Sequence, residues 1–229
     1  MNIETFTKGK VLERNEDFFG YDNTTLVVAD GATDKNKQSF DGSTGAELVS
    51  KVVVKACLET LLNGVLLVEN INEAIKELYQ QLKYTKYLDS LDNTFCATFC
   101  CARLRENLLD ITQVGDVGFR INGTELFTNE MLIDKITAAT RAMYIKETGD
   151  INGGRDVIMP LLKAQRDLYQ NHTTHPLGYG VVDGIRTPEK FIKIYTKEDV
   201  RTLELFTDGY PLVPSEVSVE AWESARQKV

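Results

Sequence analysis

Apolar runs that stop on Asp-Gly, and longer stretches with a helical period, divide the chain. Leu26-Val27-Val28-Ala29 is uninterrupted and ends abruptly at Asp30-Gly31, the pattern of a buried strand stopped by a turn. Residues 33–42 are polar and read as loop. Thr44 and Glu47 then form a capping box, and Ala46, Val49, Val53 and Ala56 recur at helical spacing. This predicts a helix that stops near Asn63-Gly64. Ile71, Ala74, Ile75, Leu78 and Leu82 share one face of a second predicted helix, over about 71–88.

The middle of the chain switches to a strand period. Residues 94–104 are rich in Phe, Cys, Thr and Ala. In 108–114, Leu109, Ile111 and Gln113 alternate with Asp110, Thr112 and Val114. Gly115-Asp116 breaks the run, 117–121 resumes it, and Asn122-Gly123 is the strongest hairpin signal in the chain. Three strands joined by short turns predict one antiparallel sheet. Residues 124–190 are less regular. Helical content is expected in 131–146 and 157–170, with Asn152-Gly153-Gly154 between them as a turn or mobile loop. Pro160 belongs in a first helical turn or at a kink. Residues 174–184 are Gly-rich and read as a loop, either carrying substrate contacts or simply connecting at the surface. A last strand, 201–206, stops at Asp208-Gly209, and 217–228 reads as a helix. With no repeat, low-complexity tract or linker, residues 1–229 are expected to form a single α+β domain. Its economical architecture is two antiparallel sheets with helices outside.

Composition narrows the class. With 42% hydrophobic and 26% charged residues, 229 positions suffice for a packed core and exclude disorder, collagen and coiled coil. The 34 acidic against 26 basic residues leave a net charge of −8, which disfavours nucleic acid as a partner. Most of that surplus is solvated surface; some of it suits cations. No segment approaches the roughly 18 apolar residues of a membrane span. The N-terminus has no basic region followed by an apolar stretch, so no secretory signal is read. Cys57, Cys96, Cys100 and Cys101 match neither a disulfide framework nor a zinc site. They read as reduced core residues, and the expectation is a cytoplasmic protein.

Three features carry candidate chemistry: Asn15-Glu16-Asp17, Asp30-Gly31 at one strand end, and Asp208-Gly209 at another. A strand that stops on Asp-Gly aims a carboxylate at a sheet end. Two such strands and an acidic pair can gather four carboxylates, a donor set for hard divalent cations. Without a cation they repel, and their pKa values rise. Taken singly, each Asp-Gly is an ordinary turn.

In order, the chain carries Asn15-Glu16-Asp17, Val28-Ala29-Asp30-Gly31, Thr94-Phe95-Cys96-Ala97-Thr98, Gln113-Val114-Gly115-Asp116 and Phe206-Thr207-Asp208-Gly209. This set resembles the PPM family of metal-dependent type 2C Ser/Thr protein phosphatases, especially its small bacterial members, over about residues 10–210. The resemblance implies a four-layer α-β-β-α sandwich with a binuclear Mg²⁺ or Mn²⁺ centre at one end. Asp30 would bridge both metals. Glu16 and the Gly31 carbonyl would complete one site through waters, and Asp208 would bind the other. Asp17 would orient waters from behind. Asp116 matches the position of a weaker third metal, or is a turn residue. The implied reaction is attack of a metal-activated bridging water on a phosphoserine or phosphothreonine monoester in a protein substrate, without a covalent intermediate. Nothing points to a membrane partner, and a monomer is expected.

Three departures qualify the resemblance. Leu12 stands where many members place a phosphate-binding Arg. Lys10 and Arg14 flank it in a different register, and either can serve or both are plain surface charges. Ala32 stands where animal members have His, and the only histidines, His172 and His175, lie far along the chain. No Asp follows Asp208, although the family ends on a metal-binding Asp beside a last strand, and Glu216, Glu220 and Glu223 lack that motif context. Either the given sequence stops before a last strand, which would leave an unpaired sheet edge, or the ligand is truly missing. The alternative function is therefore a weak or inactive phosphatase-fold module that binds a phosphoprotein or regulatory partner. A hydrolase of small phosphoesters is a third reading.

Overall fold

Alternation along β2 (Thr25–Gly31) buries Thr25, Val27, Ala29 and Gly31 on one face, which is why this segment sits inside a sheet. The structure, a computed structural model, describes residues 2–9, 15–32, 38–209 and 212–226. Strand β2 pairs on one side with β1 (Asp17–Tyr21). A two-stranded ribbon, β3 (Ser39–Phe40) and β4 (Ser43–Thr44), leads into helix α1 (Gly45–Leu58), and α2 (Gly64–Gln81) follows. Strands β5 (Ala97–Arg105) and β6 (Leu108–Val114) form a hairpin, with β5 on the other side of β2. Then come β7 (Gly118–Ile121), β8 (Glu125–Phe127), α3 (Leu132–Thr148), α4 (Gly153–Tyr169), β9 (Ile192–Lys197), β10 (Leu203–Phe206) and α5 (Val219–Arg226).

Two antiparallel sheets result: β1-β2-β5-β6-β9, and β10-β7-β8. Helices α1 and α2 cover one face of the larger sheet, where Val49, Val53, Leu67, Ile71 and Ile75 meet Val27, Ala29, Phe99 and Cys101. Each buried Val, Leu, Ile or Phe among them contributes about 1.5–3 kcal/mol. The opposite face presents Cys100, Ala102, Leu109 and Ile111 to Phe119, Ile121, Leu203 and Leu205 of the smaller sheet. On that sheet's outer side, Trp222 of α5 packs on Phe206, ring centroids 4.7 Å apart. The α3–α4 hairpin packs near Cys96, where Ile133 meets Tyr179 and Val181.

The structure corrects several readings of the pattern. Asn63-Gly64 opens α2 instead of closing α1: the first helix already ends at Leu58, and the Gly64 N–H donates to Thr112 Oγ1 at 2.8 Å. Helix α2 then stops at Gln81, short of residue 88. Strand β7 does not extend the β5–β6 sheet but belongs to the other one, and Gly115-Asp116 carries the chain across. Gly115 makes that turn at φ +83°, and a Cβ on it would lie 2.1 Å from Thr98 Cγ2. Gly153 and Gly154 are the first turn of α4 and not a loop, and Pro160 sits in that helix's interior and not in its first turn. The Asn122-Gly123 turn does join two strands, β7 and β8, both residues taking positive φ.

Candidate metal centre

Sheet register assembles the first part of the site. The β1–β2 ladder sets Asp17 opposite Asp30, and the β2–β5 ladder sets Asp30 opposite Thr98. Glu16 joins through its carbonyl, which accepts from the Gly31 N–H at 3.0 Å. Gly31 fits because it has no side chain: a Cβ there would lie 2.2 Å from the Ala46 carbonyl oxygen and 2.9 Å from that of Glu16. Thr44 caps α1, accepting from the Glu47 N–H at 3.1 Å, while its own N–H donates to Glu47 Oε2 at 2.8 Å. The same hydroxyl lies 3.2 Å from Glu16 Oε1 and donates to it. The cap of α1 thus also orients Glu16.

The smaller sheet supplies the rest. Thr207, just past β10, donates to Asp17 Oδ2 at 3.3 Å, which ties the segment bearing Asp208 to β1. Asn15 Oδ1 accepts from the Asp17 N–H at 3.0 Å. Asp116 enters from the turn between the sheets. Burial pushes the Asp30 carboxyl well above the usual carboxylate range. Asp17, Asp208 and Asp116, in that order, push it further by their charges, and a hydrogen bond with Asp208 adds to this. Asp116 is pushed up to about 6, first by burial and then by Asp208, against a lowering contribution from the Thr98 hydroxyl.

Among the described residues, no Lys or Arg ion-pairs with Asp30, Asp116 or Asp208. Crowded hard oxygen donors that lack positive charge fit a divalent cation. Yet among the described residues no three His, Cys, Asp or Glu side chains are arranged to hold a metal ion.

Lys10, Leu12 and Arg14 lie outside the described residues. The histidines follow α4, their rings 6.2 Å apart, with His175 against Tyr169. Residues 174–184 are loop, but not an open one: Val182 pairs with Ala97, and Asp183 is buried and takes bonds from Gln170, Asn171 and the Ile185 N–H. Two residues near the centre escaped the sequence reading. Asp134, in the first turn of α3, adds its charge to the rise of Asp116. The buried guanidinium of Arg166, in α4, donates to the carbonyls of Thr94 (3.0 Å), Asp92 (3.3 Å) and Ala32 (3.4 Å). It fixes the chain just beyond Asp30-Gly31. Neither stands in a motif, so no local pattern marks them.

No family model and no curated protein matches the chain. Solved structures do match, and they define the fold as that of the bacterial PP2C-type serine/threonine phosphatases. The serine/threonine phosphatase PstP/Ppp of Mycobacterium tuberculosis is 18% identical with a TM-score of 0.53, over 95% of this chain and 81% of its own. The serine/threonine phosphatase Stp1 of Staphylococcus aureus is 18% identical with a TM-score of 0.52, over 97% and 85%. The catalytic domain of PstP in complex with two manganese ions is 16% identical with a TM-score of 0.51, over 97% and 86%.

Proposed function

We propose that the protein hydrolyses phosphoserine and phosphothreonine monoesters in protein substrates, using two Mg²⁺ or Mn²⁺ ions. The observation that carries this reading is Asp30, ringed by Asp17, Asp116 and Asp208 in a fold whose neighbours include a phosphatase domain with two manganese ions. Asp30, Asp208, Glu16 and the Gly31 carbonyl would hold the two ions, with Asp116 at a weaker third position and Asp17 behind them. Bound there, the ions supply an activated water and offset charge on the phosphoryl oxygens. The chain's own residues prepare the site. Thr44 aims Glu16, Asn15 and Thr207 fix Asp17, and Gly31 lets the α1 backbone close on the strand end. Lys10 and Arg14 are the candidate phosphate contacts. No protein nucleophile is called for, and all four cysteines are free and buried. We read residues 1–229 as one phosphatase-type domain, cytoplasmic and monomeric. No helix among the described residues is long and apolar enough to cross a membrane.

The test is phosphate release from a phosphopeptide with Mn²⁺, with Mg²⁺ and with chelator. Release is expected only with metal and is expected to collapse in Asp30→Asn. Metal-independent release, or an undiminished variant, refutes the proposal. The departures from the family pattern at Leu12 and Ala32 favour a second reading, a weak or inactive module that binds a phosphoprotein. Phosphopeptide binding without turnover and without Mn²⁺ binding would select it.

A further inference from the structure

We propose that Arg166 is a positioning residue of this centre: from α4 it locks Ala32 against residues 92–94, which keeps the Gly31 carbonyl aimed at a bound cation and couples the α3–α4 hairpin to cation binding. The inference rests on reading Asp30 and Gly31 as part of a cation site.

The Gly31 carbonyl and the Ala32 N–H belong to one planar peptide group and point in opposite directions. That N–H donates to the Cys96 carbonyl at 2.9 Å, so the Gly31 carbonyl is directed away from Cys96. The peptide group before it is held through the Gly31 N–H, which donates to the Glu16 carbonyl at 3.0 Å. The peptide group after it is held by Arg166, whose Nη2 donates to the Ala32 carbonyl at 3.4 Å. Nη1 of the same guanidinium donates to the carbonyls of Thr94 at 3.0 Å and Asp92 at 3.3 Å, in the segment that leads into Cys96. One side chain therefore braces both sides of the Ala32–Cys96 bond that aims Gly31.

The residue type fits this role. Gly154, Ile158 and Arg166 are the buried residues of α4, and Arg166 is only 3% exposed. An apolar side chain would bury that face without desolvating a charge. A guanidinium instead carries five N–H donors in a rigid fork, suited to carbonyls that lie in different directions, whereas a lysine ammonium acts from a single point. Two further bonds join α4 and its C-terminal end to the same segment: Ser90 Oγ to Asp167 Oδ1 at 3.3 Å, and Gln170 Nε2 to Thr94 Oγ1 at 3.3 Å. Neither involves Ala32. The coupling is reciprocal: whatever the clamp adds to cation affinity, the cation returns as firmer docking of α4.

Arg166→Met, Arg166→Lys and Ser90→Ala in the full chain test this, by calorimetric Mn²⁺ titration and by hydrogen exchange with and without Mn²⁺. The sign of the effect is decisive, because Arg166 and the ion carry like charge. If Arg166 acted through its charge alone, removing it would tighten Mn²⁺ binding. Positioning predicts the opposite: Arg166→Met is expected to bind Mn²⁺ about tenfold more weakly, as loss of a ligand-orienting partner does. Arg166→Lys, which keeps the charge but not the fork, should lose a similar amount. Ser90→Ala, which removes an exposed anchor of α4 that does not reach Ala32, should stay within about twofold of wild type. In the wild type, Mn²⁺ should slow exchange of the α4 amides; in Arg166→Met that slowing disappears while it persists along β2. Unchanged or tighter binding in Arg166→Met, wild-type affinity in Arg166→Lys, or an equal loss in Ser90→Ala overturns the proposal. Should Arg166→Met fail to fold, the wild-type exchange decides: α4 protection that ignores saturating Mn²⁺ refutes the coupling. If the wild-type protein binds no Mn²⁺, the cation reading fails and this proposal falls with it; unchanged binding in Arg166→Met beside normal wild-type binding refutes the role of Arg166 alone.

Discussion

The outer face of the smaller sheet carries a buried ion pair whose worth can be measured through the chain's single tryptophan. Arg120 on β7 holds Glu204 on β10 through two bonds, Nη2 to Oε1 at 2.6 Å and Nε to Oε2, a bidentate arrangement. The guanidinium also donates to the carbonyls of Pro214 and Glu216, while Trp222 Nε1 donates to Glu204 Oε1 at 2.9 Å. The side chains are 4% and 11% exposed, so water does little to screen them. Arg120→Met would leave the Glu204 carboxylate buried with only the indole N–H, at an expected cost of about 3–5 kcal/mol. That is a large share of a typical total of about 5–15 kcal/mol. Glu204→Leu should cost a comparable amount, because the guanidinium keeps only neutral carbonyls. The double variant strands neither charge. It should be less destabilised than the sum of the single variants by at least about 2 kcal/mol. Urea unfolding followed by Trp222 fluorescence and by far-UV circular dichroism measures all four proteins. Single-variant losses below about 1 kcal/mol, or strict additivity, would refute the reasoning. The same pair anchors the chain on both sides of Asp208, so Mn²⁺ affinity should weaken in either single variant.

Two further predictions concern the centre itself. Gly31→Ala puts a methyl 2.2 Å from the backbone carbonyl oxygen of Ala46, where no flexible side chain can yield. A loss of at least about 2 kcal/mol is expected in denaturant unfolding, together with weaker Mn²⁺ binding. A fully stable variant would show that α1 does not press on the strand end. Asp116, at about 6 in the folded protein against an ordinary value of 3.8, takes up its proton in the folded state first. Its stabilising contribution is therefore full below the unfolded pKa and is lost as pH rises through about 6. Without metal, wild type should gain about 2 kcal/mol relative to Asp116→Asn between pH 7 and pH 4. Parallel stability–pH curves for the two proteins would rule that out.

Elements whose pattern is local were legible. The capping box at Thr44 and Glu47 marks the start of α1 where the structure has it, and the alternation of 108–114 is β6 residue for residue. What failed was partnership. Nothing in 94–121 distinguishes a three-stranded meander from a hairpin followed by a crossing, because both need a break at Gly115-Asp116. The deciding contact, Thr98 against Gly115, lies 17 positions away in sequence. Asn63-Gly64 misled for a related reason. Such a pair closes a helix as readily as it precedes one, and the Thr112 hydroxyl that receives the Gly64 N–H belongs to another element. Strands β1 and β9 escaped as well. Both are edges, and their half-exposed residues blur the period that a buried strand displays.

The centre shows the same division between local and non-local signals. Asp17, Asp30, Asp116 and Asp208 were readable as candidates because each stands at a strand end or next to a turn glycine. Their meeting was not readable from spacing. It follows from two ladder registers and one crossing, which bring positions 17 and 208 to a common edge through Thr207. Arg166 and Asp134 illustrate the limit: each acts on the site from a helix in the least regular part of the chain. The energetic consequence is that the fold buries and crowds negative charge: burial first, and neighbouring carboxylates second, raise the carboxyls of Asp30 and Asp116. Cation binding and carboxylate ionisation are therefore coupled, and metal affinity should fall as pH drops through the range in which Asp116 takes up its proton.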